Sequence, residues 1–164
     1  MPVFLIKGIL IVLVLYWCGT QFFETRRIGI DTQKSPCIPG TRIYLIDLID
    51  KRLIKGNIYQ FKSKDLQPIY EKGTKLVKYL RGEPGDTVKI DQYGMQFINN
   101  KSLGLGGLAY GEKNLGIDIN NFIGEKVLSD EEYWFVGSTH RSFDSRYWGT
   151  VKHEDIIGRA HPVF

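Results

Sequence analysis

The N-terminal part of the chain is one long apolar segment. Residues 3–23 read VFLIKGILIVLVLYWCGTQFF, and Lys7 is their only charged residue. A helix of this length spans roughly 32 Å, which is enough to cross a bilayer. A cleaved secretory signal would end in a small-x-small site, whereas residues 16–19 are YWCG, and Cys18 lacks the small residues that precede a lipoprotein cysteine. We therefore predict an uncleaved membrane anchor over residues 1–27.

From residue 28 onward, short alternating hydrophobic stretches lie between Gly, Asp and Asn residues, and they are rich in β-branched and aromatic side chains. This pattern is typical of strands and predicts one β-rich domain over residues 28–164. The predicted strands are residues 41–48, 57–62, 75–80, 87–91, 95–99, 133–136 and 156–163. A tight hairpin is expected at residues 91–94, because Gly94 can adopt the positive φ that such a turn requires. Residues 101–124 lack clear periodicity, which predicts a long surface loop.

Composition narrows the classes of function. With 164 residues, 43% of them hydrophobic, the chain is an ordinary globular protein with room for one compact domain. Its net charge of +4 includes no long basic run, so nucleic acid is not an expected partner. Two cysteines and three histidines lack metal-ligand spacing, and the glycine-rich residues 103–111 lack the Gly-Lys-Ser/Thr ending of a phosphate loop. We expect neither a metal nor a cofactor.

The first candidate cluster is residues 34–40, KSPCIPG, just beyond the predicted anchor. Two possible nucleophiles, Ser35 and Cys37, lie two residues apart in it. The alternative interpretation is a proline-stiffened loop with a small apolar cysteine beneath it.

The second cluster is residues 75–86, KLVKYLRGEPGD. In a strand, the period of two places Leu76, Lys78 and Leu80 on one face, so that leucines flank the lysine. Burial disfavours a charged ammonium, which is how a lysine becomes a general base near neutral pH. The alternative is a lysine whose stem packs on the sheet while its ammonium reaches water.

The third cluster is residues 137–149, GSTHRSFDSRYWG. In an extended segment Asp144 and Arg146 share a side and can form a structural ion pair. His140 is nearby, but nothing in the sequence orders it as the base of a Ser-His-Asp triad.

In this order, the clusters resemble type I signal peptidases, and more closely their conjugative-transfer branch, the TraF-type processing peptidases. Residues 78–86, KYLRGEPGD, are similar to the family's lysine block, in which a lysine precedes Gly-x-Pro-Gly-Asp. Residues 144–149, DSRYWG, are similar to its Asp-Ser-Arg-Tyr-Trp-Gly block. With the anchor and the first cluster, the resemblance covers most of the chain.

The resemblance implies a mainly β, signal-peptidase-like antiparallel domain with one N-terminal transmembrane helix. It also implies a hydrolase that cleaves leader peptides from exported precursors with a serine-lysine dyad. The expected partners are the membrane, a precursor such as a pro-pilin, and components of a conjugation apparatus. The expected location is the bacterial inner membrane, as a single-pass protein whose catalytic domain faces the periplasm. Charge does not set this orientation, since Lys7 lies at one end of the helix and Arg26 and Arg27 at the other.

The nucleophile block departs from the family pattern of Ser-x-Ser-hydrophobic followed closely by Pro. When the blocks are aligned on Pro39, Cys37 takes the nucleophile position and Ser35 the position that helps to form the oxyanion hole. With Ser35 as nucleophile, Pro36 would follow it directly, so we favour Cys37. A thiol also needs less activation than a hydroxyl, because part of it is already thiolate near pH 7.

The remaining blocks carry over residue by residue. Ser142 matches the serine that orients the lysine, while Asp144 and Arg146 match a salt-bridged pair that supports the site. Ser138 and Thr139 stand where signal peptidases usually have Asp-Asn.

The favoured interpretation is therefore a Cys37–Lys78 peptidase that processes a pilin precursor or another exported component of a conjugation apparatus. Two alternatives stay open. One is a conventional serine-lysine signal peptidase that uses Ser35. The other is a noncatalytic assembly subunit of a conjugative secretion system, which keeps the fold but has lost activity with the serine-to-cysteine change.

Overall fold

The computed structural model describes residues 3–33, 36–104, 108, 111, 113, 116 and 118–163. Helix α1 comprises Val3–Thr25, and the short helix α2 comprises Ser145–Trp148. The strands are β1 (Arg26–Ile30), β2 (Ile43–Asp47), β3 (Ile58–Lys62), β4 (Lys75–Gly82), β5 (Thr87–Ile90), β6 (Gln96–Ile98), β7 (Lys101–Ser102), β8 (Gly124–Val127), β9 (Glu132–Val136), β10 (Val151–Lys152) and β11 (Ile156–Pro162). Single 3₁₀ turns occupy Ile119–Phe122 and His153–Asp155.

Helix α1 is long and apolar enough to cross a membrane, with a mean hydropathy of 2.2 over its most apolar window and no buried residue. It fits a single membrane pass, as its sequence predicts. The chain passes from Thr25 directly into β1, and Arg26 donates a 3.0 Å hydrogen bond to Asp47 on β2. The division of the chain into residues 1–27 and 28–164 stays a prediction.

The strands form two antiparallel sheets. The larger sheet has seven strands in the order β1-β2-β11-β3-β4-β9-β10, and the smaller has four in the order β7-β6-β5-β8. This architecture confirms the predicted fold class, a mainly β antiparallel domain with one N-terminal apolar helix. The expected hairpin is also present, because Gly94 has φ of 71° between β5 and β6.

Hydrophobic side chains from both sheets form the main core, which includes Leu80, Val88, Phe135 and Trp134. A second apolar cluster includes Tyr44 and Ile46 of β2, Ile58 of β3 and Ala160 of β11. Burial of this kind stabilises a folded domain by roughly 25 cal/mol for each Å² of apolar surface removed from water. Strand β4 contacts both clusters, because Leu76 and Leu80 belong to the main core while Val77 and Tyr79 pack against the second apolar cluster.

The prediction of one long surface loop over residues 101–124 is wrong in part. Its first two residues pair with β6 as β7, and a 3₁₀ turn occupies Ile119–Phe122 near its end. Leu108 is fully buried in the main core. The sequence does not predict the burial of Leu108, because a single leucine among scattered glycines forms no periodic hydrophobic pattern.

Candidate active site

Strand β4 carries Lys78 into the interior of the domain. Burial alternates along the strand, so that Leu76, Lys78 and Leu80 share the inner face, as the period of two predicts. The side chain of Lys78 is only 1% exposed. Its Nζ donates a 3.0 Å hydrogen bond to the Oγ of Ser142, another buried group. The alternative in which this lysine reaches water is therefore wrong.

Cys37 lies between β1 and β2 and is 7% exposed. Its carbonyl oxygen accepts hydrogen bonds from the backbone nitrogen of Ser138, at 2.9 Å, and from the Ser138 hydroxyl, at 3.2 Å. Gly137 makes this approach possible, because a β-carbon there would lie 3.1 Å from the Cys37 carbonyl and would overlap the Ser142 side chain. These contacts hold the segment that contains Cys37 against residues 137–142, and Ser142 in turn binds Lys78.

Cys37 and Lys78 line one cleft with a cavity volume of about 310 Å³. Residues 27–33 and residues 74–78, the last four of which belong to β4, line this cleft. β1 is the outermost strand of its sheet and pairs only with β2, while β9 reaches β4 only from Tyr79 onward. In the part of the chain that the structure describes, two strand edges without a neighbouring strand therefore border the cleft that contains the cysteine and the lysine.

Asp144 and Arg146 form a buried ion pair behind Ser142. Arg146 donates from Nε to Oδ1 of Asp144 at 2.7 Å and from a terminal nitrogen to Oδ2 at 2.8 Å. Arg146 also binds the carbonyl oxygens of Thr139 and Ser142, and Asp144 accepts from the backbone nitrogen of Gly137. Burial disfavours the guanidinium, but the hydrogen bonds and charge of Asp144 outweigh it and raise the pKa of Arg146.

The pair forms, but the extended segment expected around it is wrong. Asp144 is the N-cap of helix α2, and its side chain accepts a hydrogen bond from the backbone nitrogen of Arg146. The side chain of an N-cap aspartate lies close to the first turn of its helix. It can therefore pair with a residue of that turn without an extended backbone. The pair holds the loop that carries Ser142.

Two further polar side chains of the cleft, those of Gln33 and Tyr70, belong to no sequence motif, so the sequence did not predict them. The Cys37 thiol donates a 3.3 Å hydrogen bond to Oε1 of Gln33, and Nε2 of Gln33 donates a 2.7 Å hydrogen bond to the hydroxyl of Tyr70. Burial raises the pKa of Tyr70, as do the nearby Cys37 and Asp31, so this phenol is neutral near pH 7.

The structure thus brings together five of the six predicted site residues: Cys37, Lys78, Ser142, Asp144 and Arg146. Ser35, the sixth, lies outside the described residues. Among the residues that are described, no group of three or more His, Cys, Asp or Glu side chains could hold a metal ion. The site can therefore be described as a buried amine, its serine partner and a cysteine at one cleft.

Comparisons with known proteins agree on one family. Residues 3–164 match the family model described as signal peptidase, peptidase S26. The chain is 29% identical over 111 residues to a protein named "Probable signal peptidase I-2" from Synechocystis sp., a match that covers 67% of this chain and 47% of that protein. The chain therefore spans about half the length of this curated relative.

A solved structure is also similar, the signal peptidase I from Enterococcus faecalis V583. The sequences are 25% identical, the match covers 66% of this chain and 96% of the other, and the TM-score is 0.41. The family model, by contrast, extends over nearly the whole chain, from the apolar helix through the final strand. This protein belongs to the signal peptidase family, peptidase S26.

Proposed function

We propose that the chain is a membrane-anchored signal peptidase that cleaves leader peptides from exported precursors with Cys37 and Lys78. The observation that carries this proposal is that both side chains line one cleft bordered by two strand edges without a neighbouring strand. Membership of the peptidase S26 family supports the reaction class.

The open edges of β1 and β4 suit a peptide in extended form. Such edges present backbone N–H and C=O groups that another strand can pair with. A precursor bound in this way would direct its backbone along the cleft, past Cys37 and Lys78. A membrane anchor next to the cleft raises the effective concentration of precursors that are themselves held by the bilayer.

The proposed reaction is acyl transfer to sulfur. Lys78, as a neutral amine, takes the proton of the Cys37 thiol, and the thiolate attacks the scissile carbonyl carbon. The tetrahedral intermediate expels the new amino terminus, which takes the proton from the Lys78 ammonium, and a thioester remains on Cys37. Water then gives a proton to Lys78 as it attacks the thioester, and the returning proton restores the thiol.

The supporting residues have separate tasks in this scheme. The hydroxyl of Ser142 orients the Lys78 amine at 3.0 Å, and the Asp144–Arg146 pair holds the Ser142 loop. Ser138 holds the nucleophile's own carbonyl, so this serine has a positional task although it differs from the usual family residue. Ser35 is proposed as a hydrogen-bond donor to the oxyanion, on the basis of the family pattern alone.

The direct test is cleavage of a leader-bearing precursor by the full chain purified in detergent. Substitution Lys78→Met should slow cleavage by about 10²- to 10⁴-fold, the range that general acid-base catalysis contributes. Cys37→Ala should abolish cleavage, and Ser35→Ala should weaken it. The matched control is Lys89→Met, which removes an exposed lysine on β5.

The outcomes separate the alternatives. Cleavage that survives Cys37→Ala but not Ser35→Ala would identify a conventional serine-lysine enzyme. Full activity in Lys78→Met would remove the dyad. If the unaltered chain cleaves no precursor, including those encoded with it, the noncatalytic assembly subunit becomes the better interpretation.

The natural substrates that we propose are a pilin precursor or another exported component of a conjugation apparatus. Residues 144–149, DSRYWG, and the short lysine block support this branch of the family. Deleting the protein should then leave a pilin precursor uncleaved, as an immunoblot would detect. If only the precursors of other secreted proteins stay uncleaved, the protein would instead be a signal peptidase with a broader range of substrates.

We also propose a single pass through a bacterial inner membrane, with the catalytic domain in the periplasm. Helix α1 supports the single pass. Fusions after residue 164 to alkaline phosphatase and to a cytoplasm-active fluorescent protein test the orientation. Activity of the phosphatase fusion alone is expected, and fluorescence of the other fusion would place the domain in the cytoplasm.

A further inference from the structure

Gln33 is the polar side chain in direct contact with the sulfur atom of Cys37. Its Oε1 accepts a hydrogen bond from the thiol at 3.3 Å. Its Nε2 donates to the hydroxyl of Tyr70 at 2.7 Å, which fixes the opposite end of the amide. Gln33 and Tyr70 line the same cleft as Cys37 and Lys78. The amide therefore touches the atom that would react.

The hydrogen-bonded side chains of Gln33 and Tyr70 form a bridge, and both of its ends are held in place. The backbone nitrogen of Gln33 donates a 2.9 Å hydrogen bond to the Asp31 carboxylate, and its carbonyl oxygen accepts a 2.9 Å hydrogen bond from Arg42. The ring of Tyr70 packs against Phe143, with ring centroids 6.0 Å apart. Phe143 follows Ser142 directly, so the bridge is tied to the loop that orients the lysine.

An amide and a phenol can exchange hydrogen-bonding roles without leaving a group unpaired. A neutral thiol donates a hydrogen bond, and Oε1 of Gln33 accepts it. A thiolate has no proton and needs a donor, which the amide provides when it turns over by 180° and presents Nε2. The hydroxyl of Tyr70, until then an acceptor, donates to Oε1 in the turned state. Both states are fully hydrogen-bonded.

We propose that Gln33, held by Tyr70, is a catalytic residue that accepts a hydrogen bond from the Cys37 thiol at rest and donates one to the thiolate once the proton has moved to Lys78. This inference rests on the proposed use of Cys37 as nucleophile. Hydrogen bonds to ionised partners are about twice as strong as neutral ones. The bridge therefore favours the Cys37 thiolate over the thiol, and it stabilises this nucleophile before the carbonyl carbon of the substrate reaches it.

Several charged or titratable groups surround the sulfur and must be kept constant in a test. Lys78 and Asp31 line the same cleft, and Tyr44, Tyr70 and Arg146 interact electrostatically with Cys37. The proposal is specific to Gln33 because, among the hydrogen bonds of the described residues, its amide is the partner of the sulfur.

The test is the rate at which iodoacetamide modifies Cys37 as a function of pH. The full chain in detergent is used, and the peptide that contains Cys37 is quantified by mass spectrometry. Gln33→Glu replaces the donor with a negative carboxylate of the same shape, which should raise the midpoint of the profile by about one pH unit and slow the reaction near pH 7 about tenfold. Gln33→Leu should shift the midpoint in the same direction.

Tyr70→Phe tests the role of the phenol. It keeps the ring and removes the hydroxyl that holds the amide, so the reaction near pH 7 should slow about two- to tenfold, the worth of one neutral hydrogen bond. Gln92→Glu is the matched control, because it adds the same charge at an exposed turn and should leave the profile unchanged. Tryptophan fluorescence of each variant on heating checks that it is folded.

The proposal and the function that it rests on fail in different ways. If the profiles of folded Gln33→Glu and Gln33→Leu coincide with that of the unaltered chain, Gln33 is not a catalytic residue, whatever the cleavage assay gives. Alkylation needs no substrate, so precursor cleavage tests the peptidase function independently. Slowed alkylation in both Gln33→Glu and Gln33→Leu, without a change in Gln92→Glu, supports the proposal, whereas slowing in Gln33→Glu alone is the effect of the added charge and would contradict it.

Discussion

The side-chain nitrogen of Lys78 lies 3.0 Å from the hydroxyl oxygen of Ser142, and both side chains are buried. The two residues are 64 positions apart in the sequence. Lys78 comes from the middle of β4, and Ser142 comes from a loop clamped by Arg146. A buried amine keeps a defined direction only when a polar partner holds it, so this contact fixes the direction of the Lys78 amine.

The first prediction concerns Ser142→Ala. Without its hydroxyl the Lys78 amine loses its partner, so turnover of a leader-bearing precursor should fall by about tenfold or more while KM changes little. Single-turnover and steady-state cleavage rates measure this difference. Ser102→Ala alters an exposed serine on β7 and should cleave normally. A rise in KM at constant kcat would instead assign Ser142 to substrate binding.

The sequence contained enough information to predict the position of Lys78 and the proximity of Asp144 and Arg146. Alternation along β4 is a local property, so the leucines on either side of Lys78 determine which face is buried. The ion pair is local as well, since its partners are only two positions apart in the sequence. Local periodicity and short spacing are the features that a single sequence expresses directly.

Other parts of the site depend on contacts between distant positions. The Gln33–Tyr70 hydrogen bond joins residues 37 positions apart, and neither residue lies in a motif. Strand β1 was not predicted, because two arginines directly after an apolar helix look like the end of an anchor and not the start of a strand. All four residues of β8 are exposed, so no hydrophobic alternation marks that strand.

The second prediction concerns the buried ion pair. Arg146→Met leaves Asp144 without its partner, and breaking a buried pair costs about 3–5 kcal/mol. The unfolding temperature of the full chain, followed by tryptophan fluorescence in detergent, should fall by about 10 °C. Arg52→Met removes a surface arginine that pairs with Asp50 and should leave this temperature nearly unchanged. Equal effects of both variants would contradict a structural role for the Asp144–Arg146 pair.

The third prediction concerns acid stability through Glu132. Burial would raise the pKa of this carboxyl, but hydrogen bonds from Lys126, the backbone nitrogen of Ser129 and Thr150 outweigh burial and lower the pKa from 4.5 to about 2. Because the folded-state pKa is depressed, this stabilisation is complete above about pH 4.5 and is lost as pH falls toward 2. At pH 7, Glu132→Gln should therefore unfold at a lower temperature than the unaltered chain. Between pH 7 and pH 3, its unfolding temperature should fall by less than that of the unaltered chain.

The control for this prediction is Glu131→Gln, which changes an exposed neighbour. Its unfolding temperatures should follow those of the unaltered chain at every pH. Thermal unfolding between pH 3 and pH 7 measures the difference. High salt should reduce the effect of Glu132→Gln only in part, since Lys126 is more than half exposed but Glu132 is largely buried.

The last prediction concerns Gly137→Ala, a change of one methyl group where the Cys37 segment meets Ser142, the partner of Lys78. A β-carbon at residue 137 would overlap the side chain of Ser142 and lie 3.1 Å from the Cys37 carbonyl. The Ser142 hydroxyl must then move away from Lys78, or the cysteine segment must move away from the strand. We expect a loss of precursor cleavage of at least about 100-fold, because small misplacements of reacting groups cost that much. Gly8→Ala is the matched control, because the added carbon would meet nothing within 4 Å beyond its chain neighbours and the backbone of its own helix. Normal cleavage by Gly137→Ala would mean that the cysteine and the lysine need not be held together by this contact, and the proposed dyad would lose its structural basis.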